Sequence, residues 1–477
     1  MSSRPGAPNS TERTCAANGV HDVMQSSTIR FPEVQTSHAG HPVTACITGE
    51  EEVGGAALRA VRVMESRLLK LGWPVGRPLG TVAEVQKTFG LGRPASREAI
   101  NILEARGLVE TRRGPGGGIF VSAPTLDDVA QMLLVYLEIG DAPSDCVGEF
   151  RLLVWRMIIE ATVDCAISPT HGDECGEWGF AFDLACRLGN PTMAFAARLA
   201  EMLARTCGLP AAPQRDTLLD TSLRARDLKP ALARLPFLAQ AEYGATRAPR
   251  DIGVNPHPSS RGKPATTLAM RLVRELRDRP DHLEAEWETA ERLGCTEILV
   301  RQARRILEDH NFVHCRRGSK GAALKIDAGP ASLIRLLVPC LIANGASLMD
   351  NRQVAYFLTS EAAALAARRG GECQTLLTEP CPAQDGDEEL VAMFEHENVL
   401  LESSGNPLLV ILVRSLGLAD FHFDEAPHWR SAETDMMGFN LRILTAINTG
   451  DAETARMLAR SKSDFINSLL DDHPKAA

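Results

Sequence analysis

No stretch of the sequence is long and apolar enough to span a bilayer. The greasiest run, Leu333 to Ala343, is interrupted by Arg335 and falls well short of the roughly 20 residues a membrane helix needs. The opening residues, MSSRPGAPNSTERTC, have no apolar core of the kind an export signal carries. The 12 cysteines are scattered, and no two have the spacing of a zinc knuckle or a redox pair. Free thiols in a reducing cytosol are therefore expected, and with them a cytoplasmic protein. Catalytic signatures are missing as well. There is no G-x-S-x-G, no H-E-x-x-H and no P-loop, so an enzyme is not expected. Aromatics are only 5% of the chain, while Ala, Leu and Arg are common, which leans towards helix.

What is present is 477 residues, too many for one typical domain, carrying a net charge of -10. The charge is unevenly placed. From Ala56 to Ala123 there are about 11 Lys and Arg against about 5 Asp and Glu, a local basic footprint suited to phosphate contact.

Residues 1–50 are rich in Ser, Thr, Pro and Gly without a helical period and are expected to be a disordered tail. A second stretch of that composition, Gly244 to Thr267, reads as a linker. The halves on either side align with each other. Phe89–Gly118 pairs without a gap with Leu293–Ala322: Arg97 matches Arg301, Ile102-Leu103-Glu104 matches Ile306-Leu307-Glu308, and Arg112-Arg113-Gly114 matches Arg316-Arg317-Gly318, all at one offset (301 − 97 = 204). Further on, Gly189-Asn190-Pro191 matches Gly405-Asn406-Pro407 at a larger offset (406 − 190 = 216). A tandem duplication is therefore expected. Module A covers 51–123, lobe A 124–243, the linker 244–267, module B 268–327 and lobe B 328–477.

In module A, Leu58, Val61, Met64, Leu68 and Leu71 form a helical stripe that Gly72 ends. Thr81 and Glu84 have the spacing of a capping box, so a second helix starts there. A third follows the turn Leu91-Gly92, with Pro94 in its first turn and Ala95, Ala99, Ile102 and Leu103 on its buried face. Arg93 and Arg97, four apart, share the opposite face. Two short strands around a glycine-rich tip then form a wing. Three helices and a wing suit a reader whose third helix enters the major groove. Arginine can fork onto guanine, and glycines let the wing backbone approach a phosphate. GPGGG leads into a strand rather than a helix, which weighs against nucleotide binding.

Leu58 to Val121 resembles the winged helix-turn-helix domain of the GntR regulators. The residues that carry the resemblance are Gly90 to Arg93, Arg97-Glu98-Ala99-Ile100, Gly107-Leu108-Val109 and Arg113 to Val121. The resemblance implies a transcription regulator, a repressor among the expected roles, that binds double-stranded DNA at the nucleoid. It places the DNA contacts on Arg93, Arg97, Arg113 and Gly114. One departure is Ala83, where the family usually has a second-helix arginine. In module B the equivalent contacts are Arg301, Arg317 and Gly318, but Glu297 stands where Arg93 stands, and its charges nearly balance. The expected fold class is thus mainly α: two winged helix-turn-helix modules, each followed by an all-α bundle lobe.

The Ala/Leu-rich lobes resemble the helical effector domain, called FCD, of the FadR-type members. The resemblance rests on Arg156-x-x-x-Glu160-Ala161, Glu361-Ala362, both Gly-Asn-Pro turns and Asn440 to Ser461. Many such lobes hold a divalent metal with one Asp and three His. Those positions fall on Met393, Glu397, Asn440 and Lys462 in lobe B, and the first two on Glu177 and Ala181 in lobe A, so neither a metal nor another cofactor is expected. A small organic acid is the expected effector, paired with Arg156 in lobe A or with Arg414 and Lys462 in lobe B. No membrane partner is expected. One chain is expected to imitate a dimer, lobe on lobe, with a homodimer as the other assembly. The rival reading is a small-molecule sensor or scaffold that keeps the fold without binding DNA.

Overall fold

The structure is a computed structural model. It describes residues 42–48, 56–140, 142–167, 178–212, 216–240, 264–278, 284–310, 312–315, 322–324, 329–370, 386–423 and 433–471. Among these residues the chain is mainly α with two small antiparallel sheets. No helix among them is long and apolar enough to cross a membrane.

Helix α1 (Pro42–Thr48) corrects the expectation of a structureless tail. A seven-residue helix cannot stand on its own propensity. Distant residues hold it: Ile47 is buried, and Asn398 Nδ2 donates to the Cys46 carbonyl at 2.9 Å. Local sequence carries no trace of that support.

Module A opens with α2 (Ala56–Lys70), which buries Val61, Met64 and Leu68 as its stripe predicts. Leu71 lies beyond the helix end and is exposed. Strand β1 (Pro78–Gly80) was not expected. Thr81 caps α3 (Val82–Thr88) with the anticipated box, donating its N–H to Glu84 Oε2 at 2.6 Å. Helix α4 (Arg93–Ala105) carries Pro94 in its first turn and buries Ala99, Ile100, Ile102 and Leu103. Strands β2 (Val109–Arg112) and β3 (Gly118–Val121) pair antiparallel, Arg112 opposite Gly118. Because β1 adds to the far side of β3, the wing is one edge of a three-stranded sheet in the order β1-β3-β2, not a free hairpin. Trp73, buried beside it, donates Nε1 to the Ser122 carbonyl at 2.7 Å and ties the sheet to the end of α2.

Lobe A contains α5 (Leu126–Ile139), α6 (Cys146–Asp164), α7 (Phe180–Leu188), α8 (Pro191–Thr206), α9 (Thr217–Ala225) and α10 (Leu228–Gln240). Its centre is the buried Trp155, which donates to Glu201 at 3.0 Å under the guanidinium of Arg151. Burial holds Glu201 above the usual carboxylate range, against the pull of Arg151.

Helix α11 (Pro264–Asp278) begins inside the stretch read as linker, another correction. Pro264 stands in the first turn, where its missing N–H costs nothing. It is followed by α12 (Glu286–Leu293), α13 (Glu297–Asp309), β4 (Val313–Cys315) and β5 (Ala322–Leu324). Lobe B contains α14 (Ala331–Ala343), α15 (Leu348–Arg369), α16 (Gly386–Ser403), α17 (Pro407–Phe423), α18 (Glu433–Asn448) and α19 (Ala452–Asp471). Helix α15 is its axis, packed by the four helices that follow.

The two halves touch along reciprocal pairs. Helix α6 meets α15, α8 meets α15 while α17 meets α6, α5 meets α14, and α4 meets α13. Both Gly-Asn-Pro turns reach across. Asn190 donates to Gln353 at 2.9 Å, and Asn406 donates to Glu149 at 2.8 Å.

Candidate nucleic-acid interface and helical cavity

On α4 the buried residues Ser96, Ala99, Ile100 and Leu103 turn the opposite face outwards. Arg93 and Arg97 both stand exposed on it. Among the described residues neither guanidinium has an ion-pair or hydrogen-bond partner, so both are available to an incoming anion. The wing tip lies beyond Arg112, with Arg113, Gly114, Pro115 and Gly116 all exposed. Gly114 has φ +102°, a conformation an L side chain rarely adopts. A Cβ at Gly117 would sit 2.5 Å from the Arg112 carbonyl, so only glycine closes this tip. Thr111 donates its N–H to Glu104 Oε1 at 3.0 Å, which fixes the wing strand to α4. Arg112 lies over the Phe120 ring at 4.3 Å. The candidate site therefore has two parts: two exposed arginines on a helix, and an exposed arginine with a glycine-bearing turn whose strand is tied to that helix at Glu104.

The same surface of module B is different. Arg301 is exposed but donates to Glu286 at 2.9 Å through Nε and 2.7 Å through Nη2. That bond raises the Arg301 pKa and pairs its charge with a carboxylate. Glu297 is exposed in the first turn of α13. Beside them Trp287 and Ile298 are 57% and 65% exposed. Arg317 and Gly318 lie outside the described residues, as does Glu177 in lobe A.

The residues expected to meet an effector are not gathered in one place. Arg156 lies where the lobes meet, donating to Glu160 at 2.8 Å and to Glu361 at 3.0 Å. Arg414 is buried and donates to Glu402 at 2.6 Å. Neither lines the cavity in lobe B, whereas Lys462 does. That cavity, about 130 Å³, has polar groups from Arg352, Tyr356, Glu397, Asp420, Asn440 and Lys462, and apolar walls including Met393, Leu400, Met436 and Ile443. Arg352 faces Asp420 at 3.6 Å. Arg352, Tyr356 and Asp420 were missed from sequence, because they come from two helices whose packing only the fold reveals.

Lys462 also answers whether a metal fits. Its ammonium bonds the Glu397 carboxylate and Asn440 Oδ1, the latter at 2.8 Å. An ammonium with no lone pair thus stands among the positions a divalent ion would need, and the Met393 thioether is a poor ligand for hard cations. The set does not fit a metal ion. No cluster of three or more His, Cys, Asp or Glu suited to a metal occurs among the described residues.

No family model matches the chain. Over 66 residues it is 44% identical to a putative HTH-type transcriptional regulator, RmpR, of Mycobacterium gastri, a match covering 13% of this chain and 24% of that protein. Over 91 residues it is 32% identical to the Uxu operon regulator of Haemophilus influenzae, covering 19% and 30%. The chain thus spans less than a third of the length of these relatives. Among solved structures it is similar to Streptococcus agalactiae GntR at 19% identity and a TM-score of 0.30, over 43% of this chain and 99% of that one. Both of these sequence relatives are named as regulators.

Proposed function

We propose that this chain is a GntR-type, DNA-binding transcription regulator that reads its operator through module A. The observation that carries the reading is the α4 face, where Arg93 and Arg97 are exposed and have no partner among the described residues, on a helix tied to a wing whose tip only glycine can close. Sequence similarity to named transcriptional regulators supports it. In this reading Arg93 and Arg97 contact bases or phosphates in the major groove, while Arg113 and the Gly114 backbone hold an adjacent phosphate.

The chain is further proposed to be a duplicated unit whose FCD-like lobes pack as a pseudo-dimer. Reciprocal contacts are what a two-fold interface requires, where one copy's turn meets the partner's helix and the reverse. Module B then contributes a weaker second contact through tethering. Its Arg301 reaches DNA only by leaving Glu286. The lobe B cavity is proposed to take a small organic acid. At about 130 Å³ it approaches the engineered cavity of ~150 Å³ that holds benzene, so a molecule of about six heavy atoms fits.

The test is genomic footprinting with purified protein, repeated with Arg97→Ala. A discrete protected site that Arg97→Ala weakens supports the reading. A chain that binds no specific site, or an Arg97→Ala variant that footprints like the parent, overturns it and leaves the scaffold reading.

A further inference from the structure

At the junction of the two modules lies a buried ion lattice that neither reading surface uses. Arg106, the C-cap of α4, is almost completely enclosed. Its Nε donates to the Asp309 carboxylate, its Nη2 to the Asp309 carbonyl at 3.4 Å, and its Nη1 to Glu65 Oε1 at 2.5 Å. Asp309 is the last residue of α13 and Glu65 lies on α2. Glu65 also receives Arg62 at 3.3 Å and faces Arg335 of α14 at 3.9 Å. The next residue, His310, is buried, and its carbonyl accepts from Ser332 on α14 at 3.0 Å. One guanidinium therefore joins the recognition helix of module A to the equivalent helix of module B, on a base shared with lobe B. A second, outer pair runs between the same helices, Arg305 to Glu98 at 2.9 Å.

Desolvating so many charges is expensive, and well-packed apolar side chains would stabilise such a junction as well or better. What ions add is geometry. A planar guanidinium satisfies its acceptors only at set distances and angles, whereas apolar surfaces can slide. Resting on the DNA-reading role given above, we propose that Arg106 is a positioning residue that locks α4 and α13 at one separation. The interval between the two DNA contacts is then set by this lattice rather than by the intervening chain. A locked pair engages a correctly spaced site with the full benefit of tethering and loses it when the spacing changes.

The experiment has two arms. In the first, spin labels are placed by non-natural amino acids at the exposed positions Asn101 on α4 and Gln302 on α13. Their separation is measured in the full chain without DNA. One narrow distance is expected for the parent and a broad distribution for Arg106→Met and for Asp309→Asn, with far-UV circular dichroism unchanged. If Arg106→Met fails to fold, Asp309→Asn decides. A distribution as narrow as the parent's in the folded variants overturns the proposal, whatever the protein does with DNA. In the second arm, two base pairs are inserted between the halves of the footprinted site. The parent should lose roughly tenfold in affinity, while the variants bind both sites alike. Variants that keep the parent's spacing dependence also overturn the proposal. A parent that binds no specific site defeats the DNA-reading role instead, and the first arm still decides whether the lattice locks the helices.

Discussion

Modules A and B share a scaffold and differ in what they present. Ile102 and Leu103 of α4 and Ile306 and Leu307 of α13 are all buried, so the inward faces are alike. The outward faces have separated: Arg93 against Glu297, Val82 against Glu286, and Ala83 against Trp287. The decisive change is a neighbour rather than the arginine itself. Arg97 stands beside Val82 in sequence register and has no partner among the described residues, while Arg301 stands beside Glu286 and is held by it. Each helix has an arginine at the aligned position, yet of the two only Arg301 is paired among the described residues. Retention of a functional side chain says little until the carboxylates within its reach are known.

The largest effect should come from breaking this comparison at the reading face. Arg97→Ala and Arg93→Ala should each weaken binding to the footprinted site by about 1–3 kcal/mol, and Arg301→Ala by less than about 0.5 kcal/mol. Titration of labelled operator by fluorescence anisotropy measures both, and equal losses from Arg97→Ala and Arg301→Ala would remove the asymmetry.

The next effect concerns where the modules meet. Burial, with Arg106 and Arg62 close by, lowers the His310 pKa to about 4 from its ordinary 6.5, against the opposing pull of Asp309. The unfolded chain therefore takes up this proton first. The contribution of His310 is intact above about pH 6.5 and is lost as pH falls towards 4, by up to about 3 kcal/mol. Thermal melts of the parent and His310→Gln from pH 7 to pH 4.5 should show the parent losing its advantage over the variant. A constant gap across that range would mean that the histidine does not titrate on unfolding.

Smaller still is the wing. Arg113→Ala should weaken all DNA sequences alike and lower the salt dependence by about one phosphate contact. The slope of affinity against salt for operator and unrelated DNA checks it, and loss confined to the operator would make Arg113 a base reader.

The smallest change would sharpen the comparison from the other side. Glu286→Gln should free Arg301 and strengthen DNA binding by a few tenths of a kcal/mol, since the pair it breaks is solvent-exposed. Retention on heparin should rise with it, and only while Arg301 is present. An increase of the same size in the Glu286→Gln/Arg301→Ala variant would assign the effect to net charge.

Local physics made much of module A legible in advance. The Thr81–Glu84 box, Pro94 in the first turn and the buried spacing of Ala99, Ile102 and Leu103 are dictated by residues within four positions of one another. That range is what backbone capping and helical period act over, and it suffices to set out the arginine pair and the glycine tip. The helices of the lobes were legible for the same reason. Three things were not. The β1 strand is three residues that become a strand only against β3. Helix α1 depends on Asn398 and the helices around it. The cavity residues Arg352, Tyr356 and Asp420 come from α15 and α17.

By itself the sequence determined the helical character of the chain, the capped start of α3 and the exposed arginine face of α4. Only the tertiary structure decided that Arg301 is paired with Glu286, that the Lys462 ammonium bonds Asn440, and that Arg106 closes on Asp309, 203 residues away. The physical reason is the reach of the forces. Periodicity and capping act within one or two turns of chain, whereas the state of a charge depends on every group that folding brings within a few ångströms.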